Sequence, residues 1–137
     1  MSGDLAGRRA LVLGGSSGLG FASATALAAA GAQVLVTSRD VGRAREAAAR
    51  LPGGGHLGLV VDLAAPEDAP TGVNAFVVDL ADSTTVDVLV LNAGGPPPAR
   101  AIDIEAADAV AALRPLLLAQ ISVVRAVLPA MITAGCP

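Results

Sequence analysis

The sequence predicts an α/β fold: a doubly wound parallel sheet with helices on both faces. Three observations carry that prediction. Short apolar runs alternate with alanine-rich stretches that lack helix breakers, the pattern of consecutive βαβ units. A glycine cluster, Gly14 to Gly20, stands between the first apolar run and the first such stretch. The 137 residues are 53 % apolar and 15 % charged, which suits a single packed domain over 1–137 and excludes a disordered tail.

Taken in order, Arg8 to Leu13 (RRALVL) reads as the first strand, and GGSSGLG over 14–20 as a turn. Phe21 to Ala30 is alanine-rich and predicts a helix, which Gly31 ends as an achiral residue after the last turn. Gln33 to Thr37 is a second strand and Val41 to Leu51 a second helix, closed by Pro52-Gly53-Gly54-Gly55. Leu57 to Val61 is a third strand, ended by Asp62. Ala64 to Thr85 is ambiguous: Pro70 and Gly72 interrupt any helix opening at Glu67, and the valines of Val73 to Leu80 suit strand or helix. Val86 to Leu91 is a fourth strand, followed by Asn92-Ala93-Gly94-Gly95 and three prolines. Ile102 to Thr133 is largely helical, with a kink or restart expected at Pro115. LVVDL (59–63) and FVVDL (76–80) echo each other by chance in a chain this rich in valine.

Charge and composition narrow the function. Nine basic residues against twelve acidic give a net charge of −3, the wrong sign for a nucleic-acid binder and no polybasic patch for a membrane surface. Leu116 to Ala134 is long enough to span a bilayer, but Gln120, Ser122, Arg125 and Pro129 favour a buried or interface helix. The single cysteine, Cys136, excludes an intrachain disulfide and a cysteine-rich zinc site, and it receives no role. The Met1-Ser2-Gly3-Asp4 start has no secretory pattern, so the cytoplasm is the expected compartment. His56 reads as a solvated loop residue beside a glycine run. All nine basic residues are arginine, and lysine, tyrosine and tryptophan are absent.

The glycine cluster is the main chemical signal. Gly14 permits a tight turn, and Gly18 and Gly20 permit close approach of a pyrophosphate and of the helix to the sheet. Amides at the helix start favour phosphate charge, and the Ser16 and Ser17 hydroxyls add donors. The spacing is G-x-x-x-G-x-G, not the general G-x-G-x-x-G. At the end of the second strand an acid would bind a ribose 2′-hydroxyl and favour NAD. Thr37-Ser38-Arg39 stands there instead, and Arg39 can pair with a 2′-phosphate, so NADP is preferred and NAD stays open.

These motifs resemble the short-chain dehydrogenase/reductase family. Leu13-Gly14-Gly15-Ser16-Ser17-Gly18-Leu19-Gly20 is similar to its T-G-x-x-x-G-x-G cofactor loop, with Leu13 where threonine is usual. Asp62-Leu63 resembles the acidic pair that meets the adenine ring, and Asn92-Ala93-Gly94 the N-A-G element on the adenosine side. The runs Asn92 to Arg100 and Ala126 to Met131 are similar to 3-oxoacyl-carrier-protein reductase-like members. The resemblance implies a Rossmann-type sheet in the order 3-2-1-4, truncated after the fourth strand and its following helix, and a site of Gly14, Ser16, Ser17, Gly18, Leu19, Gly20, Ser38, Arg39, Asp62, Leu63, Asn92, Ala93 and Gly94. Other readings of the residues stay open: Asp62 as a turn cap, Asn92 as a plain turn residue, Arg39 as a solvated charge.

The same resemblance shows what is missing. The family's Ser and Tyr-x-x-x-Lys set, which moves the hydroxyl proton, follows a fifth strand expected near Pro137, and its asparagine would fall near Leu116. No catalytic residue is therefore expected here. The ambiguity of 64–85 is a further departure, since the family has a clean helix there. Three readings follow: the NADP(H)-binding part of a reductase acting on a carbonyl or alcohol, inactive alone; a non-catalytic dinucleotide-binding module; or a subunit whose bare fourth-strand edge pairs with another chain or copy.

Overall fold

The computed structural model describes residues 3–83 and 85–135. Among the described residues, strands and helices alternate up to β4, which two helices follow: β1 (Arg9–Val12), α1 (Gly18–Ala29), β2 (Gln33–Ser38), α2 (Val41–Arg50), β3 (Leu57–Val60), α3 (Val73–Ser83), β4 (Val88–Val90), α4 (Ala106–Leu113) and α5 (Ala119–Thr133). The sheet order is β3-β2-β1-β4, with every pair parallel. Register is set at the centre by Leu11, opposite Leu35 on one side and Leu89 on the other. This is the Rossmann-type half-sheet the sequence predicts, with β3 and β4 as its edges.

The sheet's two faces are packed with residues of different size. On the α1/α2 face, Ala10, Ala24, Ala28, Ala32, Ala47 and Ala48 meet Val12, Val34 and Val36. Small side chains let these helices lie close to the strands. At Gly58 the approach is closest: a Cβ there would sit 2.3 Å from the Ala44 carbonyl carbon. On the opposite face Leu11, Leu13, Leu35, Phe76, Leu80, Val123 and Val127 interdigitate as a bulkier layer. Arg50 stacks its guanidinium 4.7 Å from the Phe21 ring centroid, tying α2 to α1.

Several elements differ from the sequence prediction. α1 begins at Gly18, not Phe21, because positions in the first turn need no intrahelical donor and tolerate glycine. The ambiguous stretch contains an 11-residue helix, α3. Val73, Phe76 and Leu80 are buried at helical spacing while Asn74 and Asp79 face outward, so burial of one face decides what the valines leave open. The departure expected at 64–85 is thus removed. The echo LVVDL and FVVDL lies in a strand and loop in one case and in α3 in the other. β4 is shorter than 86–91; just before it Asp87 is bonded twice to Arg9, its amide donating to the Arg9 carbonyl at 2.8 Å and its carboxylate accepting from the Arg9 amide at 2.8 Å.

The last third is helical from Ala106. Ala101–Asp103 forms a 3₁₀ turn, and Arg114–Leu118 a π-helical turn that carries Pro115 between α4 and α5. Pro115 thus widens the helix without ending it. Of the two readings of 116–134, buried or interface helix, burial holds for one face only: Ala119, Val123 and Val127 pack inward, but Leu117, Ile121, Leu128 and Ile132 are exposed. Ala106–Thr133 is one run long and apolar enough to cross a membrane by length and composition, with 17 % of its apolar window buried. His56 also departs from its prediction. Its Nδ1 accepts from the Val34 amide at 3.0 Å and its Nε2 lies 2.9 Å from the Pro52 carbonyl oxygen, so it staples the loop after α2 to β2. Cys136 and the first two residues lie outside the described residues.

Candidate functional site

The carboxyl ends of all four strands open into one cleft of about 1040 Å³. In a doubly wound sheet this is where chains leaving adjacent strands diverge to opposite faces, so a crevice forms there of necessity. Of the residues the sequence singles out, all but Gly20 line it. Gly14, Ser16, Ser17, Gly18 and Leu19 come from the β1–α1 loop, Ser38 and Arg39 from the end of β2, Asp62 and Leu63 from beyond β3, and Asn92, Ala93 and Gly94 from beyond β4.

Gly20 has another task. It is buried behind the loop, where a Cβ would lie 2.1 Å from the Gly14 carbonyl oxygen and 2.8 Å from Asn92 Nδ2. Its lack of a side chain lets α1 start directly under the loop. Gly14 (φ 58°) and Gly18 (φ 54°) take the left-handed backbone that turns the chain from strand to helix.

Cross-strand hydrogen bonds fix the loop. The Gly14 amide donates to Thr37 Oγ1 at 3.1 Å and the Gly15 amide to the Thr37 carbonyl at 3.0 Å. Asn92 Nδ2 donates to the Gly14 carbonyl at 3.1 Å, and the Leu13 amide to the Val90 carbonyl at 3.0 Å. Asn92 is therefore more than a turn residue: it holds β4's exit against the glycine loop. Leu13, the position that departs from the family pattern, is fully buried in the bulkier core layer.

After these bonds, the amides of Ser16 and Ser17 have no acceptor among the described residues, and the N-cap Ser17 makes no side-chain cap bond. The first turn of α1 therefore offers uncapped donors to the cleft, with the positive end of the helix dipole behind them. Arg39 and Arg43 line the same cleft, and neither guanidinium has an acidic partner among the described residues. An anion with charge at two separated points suits this arrangement. Asp62 does cap the following turn, accepting from the Ala64 amide at 3.0 Å through Oδ1. The loop after β3 is thereby held at the cleft wall. No cluster of His, Cys, Asp and Glu fit for a metal occurs among the described residues.

Sequence reasoning missed two participants on this side. Thr37 adjoins the residues singled out, but its hydroxyl's target is set by strand register and is invisible in one dimension. Arg43 sits in the first turn of α2, four residues after Arg39; a second cation so near in sequence was a usable signal. The opposite wall, formed by Pro96 to Ala99, Ile104, Asp108 and Pro115, was not foreseen either.

Residues 8–136 match the family model described as short chain dehydrogenase. A Streptomyces antibioticus protein named "probable oxidoreductase" is 43 % identical over 91 residues, which are 66 % of this chain and 30 % of that protein. L-Sorbose reductase from Gluconobacter frateurii, solved with NADPH and L-sorbose, is 31 % identical with a TM-score of 0.83, over 98 % of this chain and 51 % of that one. A 3-oxoacyl (acyl-carrier-protein) reductase from Agrobacterium tumefaciens C58, solved with NADP, is 30 % identical with a TM-score of 0.82, over 95 % of this chain and 50 % of that one. The chain spans about half the length of these solved relatives.

Proposed function

We propose, from the premise that this chain belongs to the short-chain dehydrogenase family, that its residues form the NADP(H)-binding portion of an oxidoreductase acting on a carbonyl or alcohol. One observation carries the reading: an interlocked glycine loop at the lip of a parallel sheet, presenting amides beside the guanidinium groups of Arg39 and Arg43, all without a partner among the described residues. The fit to a dinucleotide rests on this chain's own geometry, since a Cβ at Gly20 would fill the space that brings the helix start to the loop.

In this reading the Ser16 to Leu19 segment takes the pyrophosphate, Arg39 with Arg43 the 2′-phosphate, and Asp62-Leu63 with Asn92-Ala93-Gly94 the adenosine side. When bound, the nicotinamide supplies or accepts hydride. The chain's own residues bind and orient; without tyrosine or lysine in the 137 residues, proton delivery to a substrate oxygen falls to groups this sequence does not contain. Within the family, the runs at 92–100 and 126–131 support a 3-oxoacyl-carrier-protein reductase-like subtype, and we assign the cytoplasm as compartment.

Titration of the protein with NADPH and NADH, followed by nicotinamide fluorescence, tests the cofactor. NADPH is expected to bind more tightly, and Arg39→Ala to weaken NADPH by roughly tenfold or more through a lost charge-assisted hydrogen bond, leaving NADH nearly unchanged. Equal losses for both cofactors would remove the NADP assignment. The second reading, a non-catalytic dinucleotide module, is favoured by the same missing residue types. Cofactor binding with no hydride transfer to carbonyl compounds, even after assembly with polypeptide carrying the family's Ser, Tyr and Lys, would select it.

A further inference from the structure

Thr37 is the one polar residue in the buried set among the described residues, 1 % exposed at the end of β2. It takes both leading amides of the glycine loop: Gly14 through its hydroxyl at 3.1 Å and Gly15 through its carbonyl at 3.0 Å. Any β-strand residue could supply the carbonyl. Only a hydroxyl side chain of this reach supplies the other acceptor from inside the sheet.

We infer that Thr37 is a positioning residue for phosphate recognition, an inference that rests on the dinucleotide reading above. Its hydroxyl turns the Gly14 N–H inward, so the amides left to face an anion begin at Ser16. The loop is thereby aimed from β2, while Asn92 restrains it from β4 at 3.1 Å. Thr37 is also two residues before Arg39, so one strand end sets both the loop's orientation and the position of the nearer guanidinium. The consequence is specific. Loss of the hydroxyl disturbs the part of the site shared by NADPH and NADH, whereas loss of Arg39 disturbs only the part that distinguishes them.

The test uses the full chain with Thr37→Val, Thr37→Ser and, as a buried neighbour that makes no bond to the loop, Val34→Ala. Thr37→Val should weaken NADPH and NADH by the same factor, about three- to tenfold for one lost hydrogen bond. Thr37→Ser should restore both, and Val34→Ala should leave both unchanged at a temperature where it is folded. Amide exchange read by NMR gives a second measurement on the wild type alone. The Gly14 amide should exchange slowly without ligand, and those of Ser16 and Ser17 fast until NADPH is added. If the wild type binds and Thr37→Val binds as tightly, or shifts only the NADPH-to-NADH ratio, or if Thr37→Ser behaves like Thr37→Val, the positioning role is overturned while the cofactor reading stands. A wild-type Gly14 amide that exchanges as fast as Ser17 overturns it without any variant. A wild type that binds neither dinucleotide overturns the cofactor reading itself, and the inference with it.

Discussion

The cleft has two walls built on different principles. The first, from Leu13 to Arg39, is held by bonds between strands and loops distant in sequence: Leu13 to Val90, Gly14 to Thr37 and Asn92, and Gly15 to Thr37. The second, from Pro96 to Pro115, has no regular structure over 96–100 and is bonded locally, by Arg100 to Asp103 and by the reciprocal Glu105 and Asp108 cap of α4. Among the described residues, eleven of the sixteen exposed large hydrophobic ones lie from Leu91 onward. A chain of 13.3 kDa exposes 8068 Å² where a compact monomer of that mass exposes about 6,500 Å². The glycine loop and the two arginines are thus placed by four strands, while the side-chain bonds of the wall from Pro96 onward stay within that wall.

The contrast can be broken most severely at Gly20. Gly20→Ala would gain helix propensity, about 1 kcal/mol, but its Cβ meets backbone oxygen at 2.1 Å, and the first wall must move. A net loss of about 3 kcal/mol is expected, read by thermal or denaturant unfolding together with lost NADPH binding. A smaller break is Asn92→Ala, which removes the donor to the Gly14 carbonyl and should cost about 1 kcal/mol, with both cofactors weakened alike. The second wall should give the smallest response. Arg100 is pushed above its ordinary pKa by its hydrogen bond to Asp103, yet both side chains lie in solvent, so Arg100→Ala should leave the melting temperature unchanged at low and high salt. A clear drop there would mean that the second wall is tethered after all.

The sheet was legible in the sequence because strand–loop–helix alternation, with glycine and proline at the breaks, leaves few alternatives. The site was legible where a residue type announces its own chemistry, as at Ser16, Ser17 and Arg39. α3 was not, because Val73, Val77 and Val78 suit a strand as well as a helix until the burial of Val73, Phe76 and Leu80 against α5 settles the matter. Thr37 and His56 escaped for a related reason. Each acts through a backbone amide brought near by pairing, Gly14 in one case and Val34 in the other, and no local pattern records that encounter.

The alanine layer beneath α1 and α2 bears on how this protein can diverge. A residue cannot shrink much below alanine, and at Gly58 not at all, so nearly every substitution on that face adds atoms where helix and strand already touch. The bulkier opposite face can trade leucine for isoleucine or valine and compensate nearby. Sequence drift among descendants of this chain should therefore be lopsided, with one side of the sheet frozen in composition and the other free to wander.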